Sequence, residues 1–369
     1  MATLTTALLP ARVDIMSMTN RSEGLFRKTT SDNFFQMSNL IIRKGSKDQF
    51  VKSLKNNVIE WGGCLTPEQY YEREHILMET AYAQKAHGFL VLVPENDPLT
   101  DDILAHCEVY EHPALVSTTA GEAQQAKCMG IGSVFCPVEH RGHGYASQML
   151  KLLHQEFEKD PTVRASNLYS DIGSVFYDRL GWKTMPSKEI FIAAEPPLAV
   201  PDNVKAITSY EEIQVLTAKD VELLHKEMKD LKSTAVCILP TAEKTAWLQL
   251  RSNYYFEKLT PWTIDTLGAY IPGTDNYATF FYHFERKCIY FLRMRSDSEE
   301  TTKAFLAVAQ REALRFQFVK IAIWDIPTLK DNDINQSVNE MRTESISALA
   351  TFDVPTEVTW LLNEKFAWI

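Results

Sequence analysis

The feature that most constrains the fold is a turn with two glycines, which joins an apolar strand to an amphipathic helix. The segment runs from Ser133 through Gly142 and Gly144, where the helix begins. Glycines let the backbone adopt left-handed angles and leave consecutive N–H groups open to a ligand. A helix that begins in this way offers a site for anionic oxygen, such as that of a diphosphate. Its apolar stripe has the spacing of a one-sided helix, with Ala146, Met149, Leu150, Leu153 and Phe157.

The glycine pattern alone leaves an alternative open, because Gly142 and Gly144 also suit a tight turn that binds nothing. The turn contains neither G-x-G-x-x-G nor G-x-x-x-x-G-K-[ST]. The sequence therefore does not support a dinucleotide-binding site or a P-loop.

Charge and length exclude several classes of protein. The 369 residues carry 38 basic and 48 acidic side chains, so the formal charge is −10. A chain that grips nucleic-acid phosphates needs a positive surface, so no nucleic-acid partner is expected. No apolar run approaches the roughly 20 residues of a membrane span, so no membrane partner is expected. The six scattered cysteines lack metal-ligand spacing and indicate reduced thiols, no metal and an intracellular protein.

The order of the chain predicts a tail and two lobes. Residues 1–36 are expected to form an N-terminal tail, for which flexibility or loose docking is favoured over a weak mitochondrial presequence. The expected compartment is the cytoplasm, with the mitochondrion as the alternative. A Pro-rich break predicts a first domain over 37–198 and a second over 203–369.

A hairpin, a helix and a strand follow one another in both lobes, and only the first copy has the glycine turn. We predict helices over 48–58, 67–86, 144–159, 174–180, 219–232, 243–256 and 299–316, and strands over 89–93, 103–109, 127–136, 165–169, 189–193, 277–285, 287–295 and 320–325.

The glycine turn resembles that of the GCN5-related N-acetyltransferase (GNAT) superfamily. Its signature [Q/R]-x-x-G-x-[G/A] is matched by residues 141–146. Downstream, residues 176–182 (FYDRLGW) resemble the Y-x-x-x-G-[F/W] element of the same superfamily. Two linked motifs in the right order are more specific than either alone.

The resemblance implies an α/β (α+β) GNAT fold with a central mixed, mostly antiparallel sheet. The repeated element order indicates that the second α/β lobe is a degenerate copy. The resemblance also implies acetyl-CoA as co-substrate, with its pantetheine arm pairing with the backbone of Val134, Phe135 and Cys136. The diphosphate would be bound by the turn residues, which are Arg141, Gly142, His143, Gly144, Tyr145 and Ala146.

Nearly the whole chain after about residue 38 also resembles a smaller group within this superfamily. Segments 103–108, 132–135, 168–173, 344–347 and 363–368 resemble fungal lysine N6-acetyltransferases. This likeness implies transfer of an acetyl group to the side-chain amine of free L-lysine, a small-molecule partner. The asparagine that often precedes the superfamily's catalytic tyrosine is replaced here by Ser170 or Asp171, so its role does not carry over.

Three residues are candidates for the transfer chemistry. The pKa of lysine is about 10.4, so a base or a water relay must take its proton at neutral pH. By motif position Tyr177 would donate a proton to the coenzyme-A thiolate, and its alternative is an ordinary core tyrosine. Asp171 would be the base or pair with the substrate ammonium, and its alternative is a helix cap. Glu108 is a second candidate base, and a solvated strand face explains it equally well.

Two other functions stay open at this point. A protein or peptide lysine acetyltransferase would need an open groove, and a coenzyme-A-binding protein would have a dead transfer site. The second lobe is expected to close over the acceptor cleft, because small-molecule sites favour domain junctions. The sequence makes no prediction of oligomeric state.

Overall fold

The computed structural model describes residues 39–118, 123–324, 338–355 and 357–369. The tail predicted for residues 1–36 lies outside this described part. The helices are α1 Lys47–Trp61, α2 Pro67–Met78, α3 Ala81–Ala86, α4 Tyr145–Lys159, α5 Val175–Asp178, α6 Tyr210–Asp230, α7 Ala242–Leu259 and α8 Glu299–Arg315.

Polar caps set where most of these helices begin. In α1, α2, α3, α6, α7 and α8 a Ser or Thr side chain accepts a hydrogen bond from a first-turn backbone N–H. The prediction of one helix over 67–86 is wrong, because the Thr80 side chain accepts from Ala83 N and begins a new helix there.

The strands are β1 Leu40–Lys44, β2 His87–Pro94, β3 Ala105–Ser117, β4 Ala123–Phe135, β5 Val163–Ser170, β6 Lys183–Thr184, β7 Lys188–Ala193, β8 Lys205–Ile207, β9 Ala235–Ile238, β10 Gly268–Tyr270, β11 Tyr277–His283, β12 Cys288–Arg295, β13 Lys320–Trp324, β14 Val338–Met341, β15 Ile346–Thr351 and β16 Thr359–Leu361. They form two sheets.

The first sheet has the order β1-β2-β3-β4-β5-β15-β6, and β9 with β16 continues from β3. Neighbouring strands in this sheet are antiparallel, except that β4 with β5 and β9 with β16 are parallel. The predicted mixed, mostly antiparallel sheet is confirmed. Helix α4 covers one face of it with the predicted stripe, of which Met149, Leu150, Leu153 and Phe157 are buried.

The second sheet repeats this arrangement in the order β14-β7-β13-β12-β11-β10-β8. The hairpin β11–β12, the helix α8 and the strand β13, parallel to β12, correspond to β3–β4, α4 and β5. In both copies the second strand of the hairpin bulges. The predicted second, GNAT-like lobe is therefore confirmed at the level of fold.

The two sheets exchange strands across the predicted domain boundary. Strand β7 precedes the boundary but pairs with β13 and β14, whereas β15 follows it and pairs with β5. Each sheet is therefore built from both halves of the chain. The domain ranges 37–198 and 203–369 stay a prediction about folding units. None of the described helices is long and apolar enough to cross a membrane.

Candidate functional site

The end of β4 leaves its neighbour β5 and forms a V-shaped opening. The β4–β5 pairing ends at Ile131, although β4 continues to Phe135. Opposite β3, one extra residue of β4 forms a bulge, where Ser133 has a φ of +49°. The backbone of Val134 to Cys136 thus lies beyond the pairing with β5. This is the geometry that an extended ligand arm needs if it is to add to a strand edge.

The predicted glycine turn follows the opening directly. A 3-10 turn, Val138–His140, leads to Gly142 at φ +84° and Gly144 at φ +79°. Gly144 is the N-cap of α4, makes no side-chain cap hydrogen bond, and is followed by a first turn with no acidic residue. The first-turn N–H groups of α4 are therefore not occupied by a cap, in contrast to those of α1, α2, α3, α6, α7 and α8.

The side chains of the turn stabilise its shape. Arg141 Nε donates to the Cys136 carbonyl at 3.1 Å, and its guanidinium lies 5.5 Å from the centre of the Phe135 ring. The ring of His143 stacks on Tyr145 at 5.6 Å. Arg141, His143, Gly142 and Gly144 are exposed, so the turn presents its amides to solvent, and the Arg141 cation beside them lies 3.4 Å from Glu60 Oε1. Ala146 follows in the first turn of α4.

Tyr177 lies in the short helix α5 within the core beside α4. It is 9% exposed, and its ring meets that of Phe176 edge to face at 5.0 Å. Burial raises the pKa of its hydroxyl, and nearby Asp171 and Cys107 add to this effect. Tyr177 therefore keeps its proton at neutral pH. Cys107 belongs to the part of β3 opposite the bulge, so the phenol lies near the opening. Its catalytic role stays a prediction.

Asp171 has a structural contact that the sequence did not indicate. Its Oδ1 accepts a hydrogen bond from Ser345 N at 2.7 Å, directly before β15. No side-chain cap is present at the start of α5, so Asp171 does not act as the helix cap that was its alternative. The side chain is exposed. Asp171 thus anchors the exchanged strand β15, and its role as a base stays a prediction.

Glu108 is buried at the apex of the opening, so its interpretation as part of a solvated strand face is wrong. It pairs across the ladder with Gly132, directly after the last β4–β5 pair, and is 5% exposed. Its Oε2 accepts from Tyr110 Oη at 2.9 Å and lies 2.9 Å from His87 Nε2. Burial by itself raises the pKa of Glu108, but His87, Ser133 and Tyr110 outweigh it and lower the pKa to about 2. An ionised carboxylate here would attract a cationic amine.

Sequence reasoning missed the companions of Glu108. His106, Glu108, Tyr110 and His112 alternate along β3, a pattern typical of a strand with one face in water. All four are buried, and Tyr82 of α3 and Trp247 of α7 pack on Tyr110 from this side. The only available signal was the unusual density of titratable side chains at alternate positions.

The second lobe lacks a corresponding anion site. Helix α8 is capped by Ser298 and begins with Glu299 and Glu300, which disfavour an anion at its N-terminus. Beyond the bulge of β12, Glu364 accepts from Met294 N at 2.9 Å and from Arg293 at 2.7 Å. A side chain of the protein therefore satisfies the strand edge in this copy. Over the described ranges, no group of three or more His, Cys, Asp or Glu side chains could hold a metal ion.

Comparisons with known proteins agree with this geometry. A family model described as the LYC1 GNAT-like C-terminal domain matches residues 191–369, and one described as an acetyltransferase (GNAT) domain matches residues 101–185. A lysine acetyltransferase of Yarrowia lipolytica is 31% identical over 156 residues, which are 37% of this chain and 38% of that protein. The match thus spans well under half of that relative. An uncharacterized protein of Saccharomyces cerevisiae is 23% identical over 382 residues, covering 85% of this chain and 93% of that protein.

Solved structures show the same fold. A GCN5-related N-acetyltransferase from Kribbella flavida superposes with a TM-score of 0.53 at 14% identity and covers 84% of this chain and 70% of its own. A probable N-acyltransferase from Enterococcus faecalis gives a TM-score of 0.55 at 14% identity, with 85% and 73% covered. At such identities the likeness establishes the fold alone.

Proposed function

Because this chain belongs to the GNAT superfamily of N-acetyltransferases, we propose that it transfers the acetyl group of acetyl-CoA to the side-chain amine of free L-lysine, in a ternary complex. The observation that carries the proposal is the uncapped α4 N-terminus at Gly144 beside the β4–β5 opening, with the ionised Glu108 at its apex.

Acetyl-CoA would be bound by the turn and by the edge of β4. The free N–H groups at Gly144 suit the diphosphate, and Arg141 adds a cation. Val134 to Cys136 would pair with the pantetheine arm, which directs the thioester to the apex of the opening. Backbone N–H groups at the bulge would polarise the thioester carbonyl.

The amine would approach from the side of Glu108. The carboxylate would hold the ammonium and a water relay would take its proton, since a group with a pKa of about 2 is itself a weak base. Tyr177 would protonate the departing thiolate from the opposite face. Alignment of the two reactants would itself lower the barrier by several kcal/mol.

Free lysine as acceptor is supported by the lysine acetyltransferase of Yarrowia lipolytica, a relative over part of the chain. It is also supported by the enclosure of Glu108, since a buried apex suits a small acceptor better than a protein surface. Peptide acetylation and coenzyme-A binding without transfer are the competing functions. The cytoplasm remains the proposed compartment.

An acceptor panel separates these functions. Release of coenzyme A would be followed with L-lysine, other amino acids, polyamines and a lysine-containing peptide. We expect turnover with L-lysine and little with the peptide. Turnover confined to the peptide would overturn the choice of acceptor, and acetyl-CoA binding without any turnover would favour the non-catalytic function.

A further inference from the structure

We propose that Lys244, with His112, binds the α-carboxylate of the acceptor, which makes the site selective for the free amino acid. This inference rests on the proposed function. Lys244 lies on α7 and is 3% exposed. Within the described residues its Nζ has no hydrogen-bond partner. The ring centres of Trp247, Tyr82 and Tyr110 surround it at 4.5, 5.1 and 5.3 Å.

An aromatic cage satisfies an ammonium group only in part. Burial, with a contribution from Arg251, lowers the pKa of Lys244 well below its ordinary value. A carboxylate beside Nζ would reverse this effect, because an opposite charge stabilises the protonated form. Lys244 is therefore a buried amine without a hydrogen-bond partner among the described residues, and a carboxylate is a group that would pair with it.

The neighbouring charges cannot supply that anion. Glu74 Oε1 accepts a hydrogen bond from Arg73 Nε at 2.8 Å and lies 3.6 Å from Arg251 Nη1. Glu108 directs its Oε2 to His87 and Tyr110, and no contact with Lys244 is present. A ligand carboxylate would therefore complete the cluster.

His112 provides a second unused donor beside Lys244. Its Nδ1 lies 3.5 Å from Tyr82 Oη, and its Nε2 is buried without a hydrogen-bond partner. With the Tyr82 hydroxyl donating to Nδ1, the ring proton is on Nε2 and is free to donate. Tyr82 contacts both side chains, since its hydroxyl lies 3.5 Å from His112 Nδ1 and its ring centre lies 5.1 Å from Lys244 Nζ, so the two are close. One carboxylate would accept from both.

Two glycines of β4, which we call the glycine floor, lie between these donors and Glu108. Gly130 and Gly132 of β4 lie opposite Tyr110 and Glu108 in the β3–β4 ladder. A Cβ added to Gly130 would lie 2.8 Å from His112 Nε2, so the floor reaches the donor pair. The side chain of Ile369 lies on this floor, and the acceptor's methylenes would replace it there.

The two ends of this floor are both in contact with Tyr110. Tyr110 contacts both ends, since its hydroxyl donates to Glu108 and its ring faces Lys244. The four-carbon stem of lysine would bridge them, with its ammonium at Glu108 and its carboxylate at Lys244. A lysine within a peptide has no free α-carboxylate and would leave the donors unpaired, at a cost in affinity.

The test compares L-lysine with cadaverine, which has the same amine and no carboxylate. We define the selectivity ratio as kcat/KM for L-lysine divided by kcat/KM for cadaverine. The wild-type ratio should exceed about 10, and Lys244→Met should lower it by about 10- to 100-fold, as expected for a charged hydrogen bond. Lys229→Met, an exposed lysine of α6, is the control and should keep the wild-type ratio.

The wild-type measurement keeps the proposal testable even if Lys244→Met does not fold. A wild-type ratio near 1 would overturn the role of Lys244 while leaving the proposed function intact. An unchanged ratio in a folded Lys244→Met variant would overturn it as well. Failure to acetylate any free amine, with acetyl-CoA bound, would instead refute the proposed function itself.

Discussion

Substitution of Gly144 by alanine separates cofactor binding from backbone strain. Gly144 has a φ of +79°, and a Cβ added there would meet no atom within 4 Å. Without ligand, the substitution should therefore lower the free energy of unfolding only by the cost of placing alanine in the left-handed region, about 1–2 kcal/mol. The chain offers a matched control in Gly273, which precedes β11 at φ +80° and also has open space around an added Cβ.

The two variants should differ in acetyl-CoA binding alone. A hydrogen bond to a charged group contributes about 1.5–3 kcal/mol. Loss of one such bond at the α4 N-terminus would raise the Kd by roughly 10- to 100-fold. We therefore expect Gly144→Ala to weaken acetyl-CoA binding to this extent in isothermal titration calorimetry, with Gly273→Ala unchanged.

Urea unfolding completes the comparison. Both variants should lose a similar free energy of unfolding, of about 1–2 kcal/mol. Equal loss of acetyl-CoA affinity in both variants would show that strain, and not the turn, controls binding. Full affinity in Gly144→Ala would refute the assignment of the diphosphate to this turn.

Three further predictions concern single side chains. Tyr177→Phe should lower kcat by about 100-fold or more with the Kd of acetyl-CoA unchanged, and an unchanged kcat would refute the role of the phenol. The pKa of Glu108 is lowered from 4.5 to about 2, so its ionised form stabilises the fold above pH 4.5, and this stabilisation is lost as the pH falls through 2. The difference in unfolding free energy between wild type and Glu108→Gln, followed by circular dichroism, should shrink over that range. Asp220 accepts from buried Arg293 at 2.7 Å, so Asp220→Ala should cost about 3–5 kcal/mol in urea unfolding, while exposed Glu222→Ala on the same helix costs little.

Features determined by neighbouring residues were predictable from the sequence. The strand, the turn and helix α4 depend on apolar spacing and on Gly142 and Gly144, and all three lie where the pattern indicated. The repeated hairpin, helix and strand of the second lobe followed from the same local signals. The splitting of 67–86 into two helices depends on the local cap at Thr80, and the apolar spacing does not show that cap.

Features determined by distant segments were not predictable. The contact of Asp171 with Ser345 joins residues 174 positions apart, and it exists because β15 pairs with β5. The burial of Glu108 likewise depends on helices from other parts of the chain. Strands of two or three residues, such as Lys183–Thr184 and Thr359–Leu361, are too short to show a period.

Transfer of an acetyl group to the side-chain amine of free L-lysine can be tested on the reaction products. The most direct measurement is mass spectrometry of the purified protein's products with L-lysine and acetyl-CoA, together with the released coenzyme-A thiol. We expect N6-acetyl-L-lysine in equal amount to the released thiol. Thiol release that does not depend on L-lysine, or acetyl groups found only on the α-amine, would contradict it.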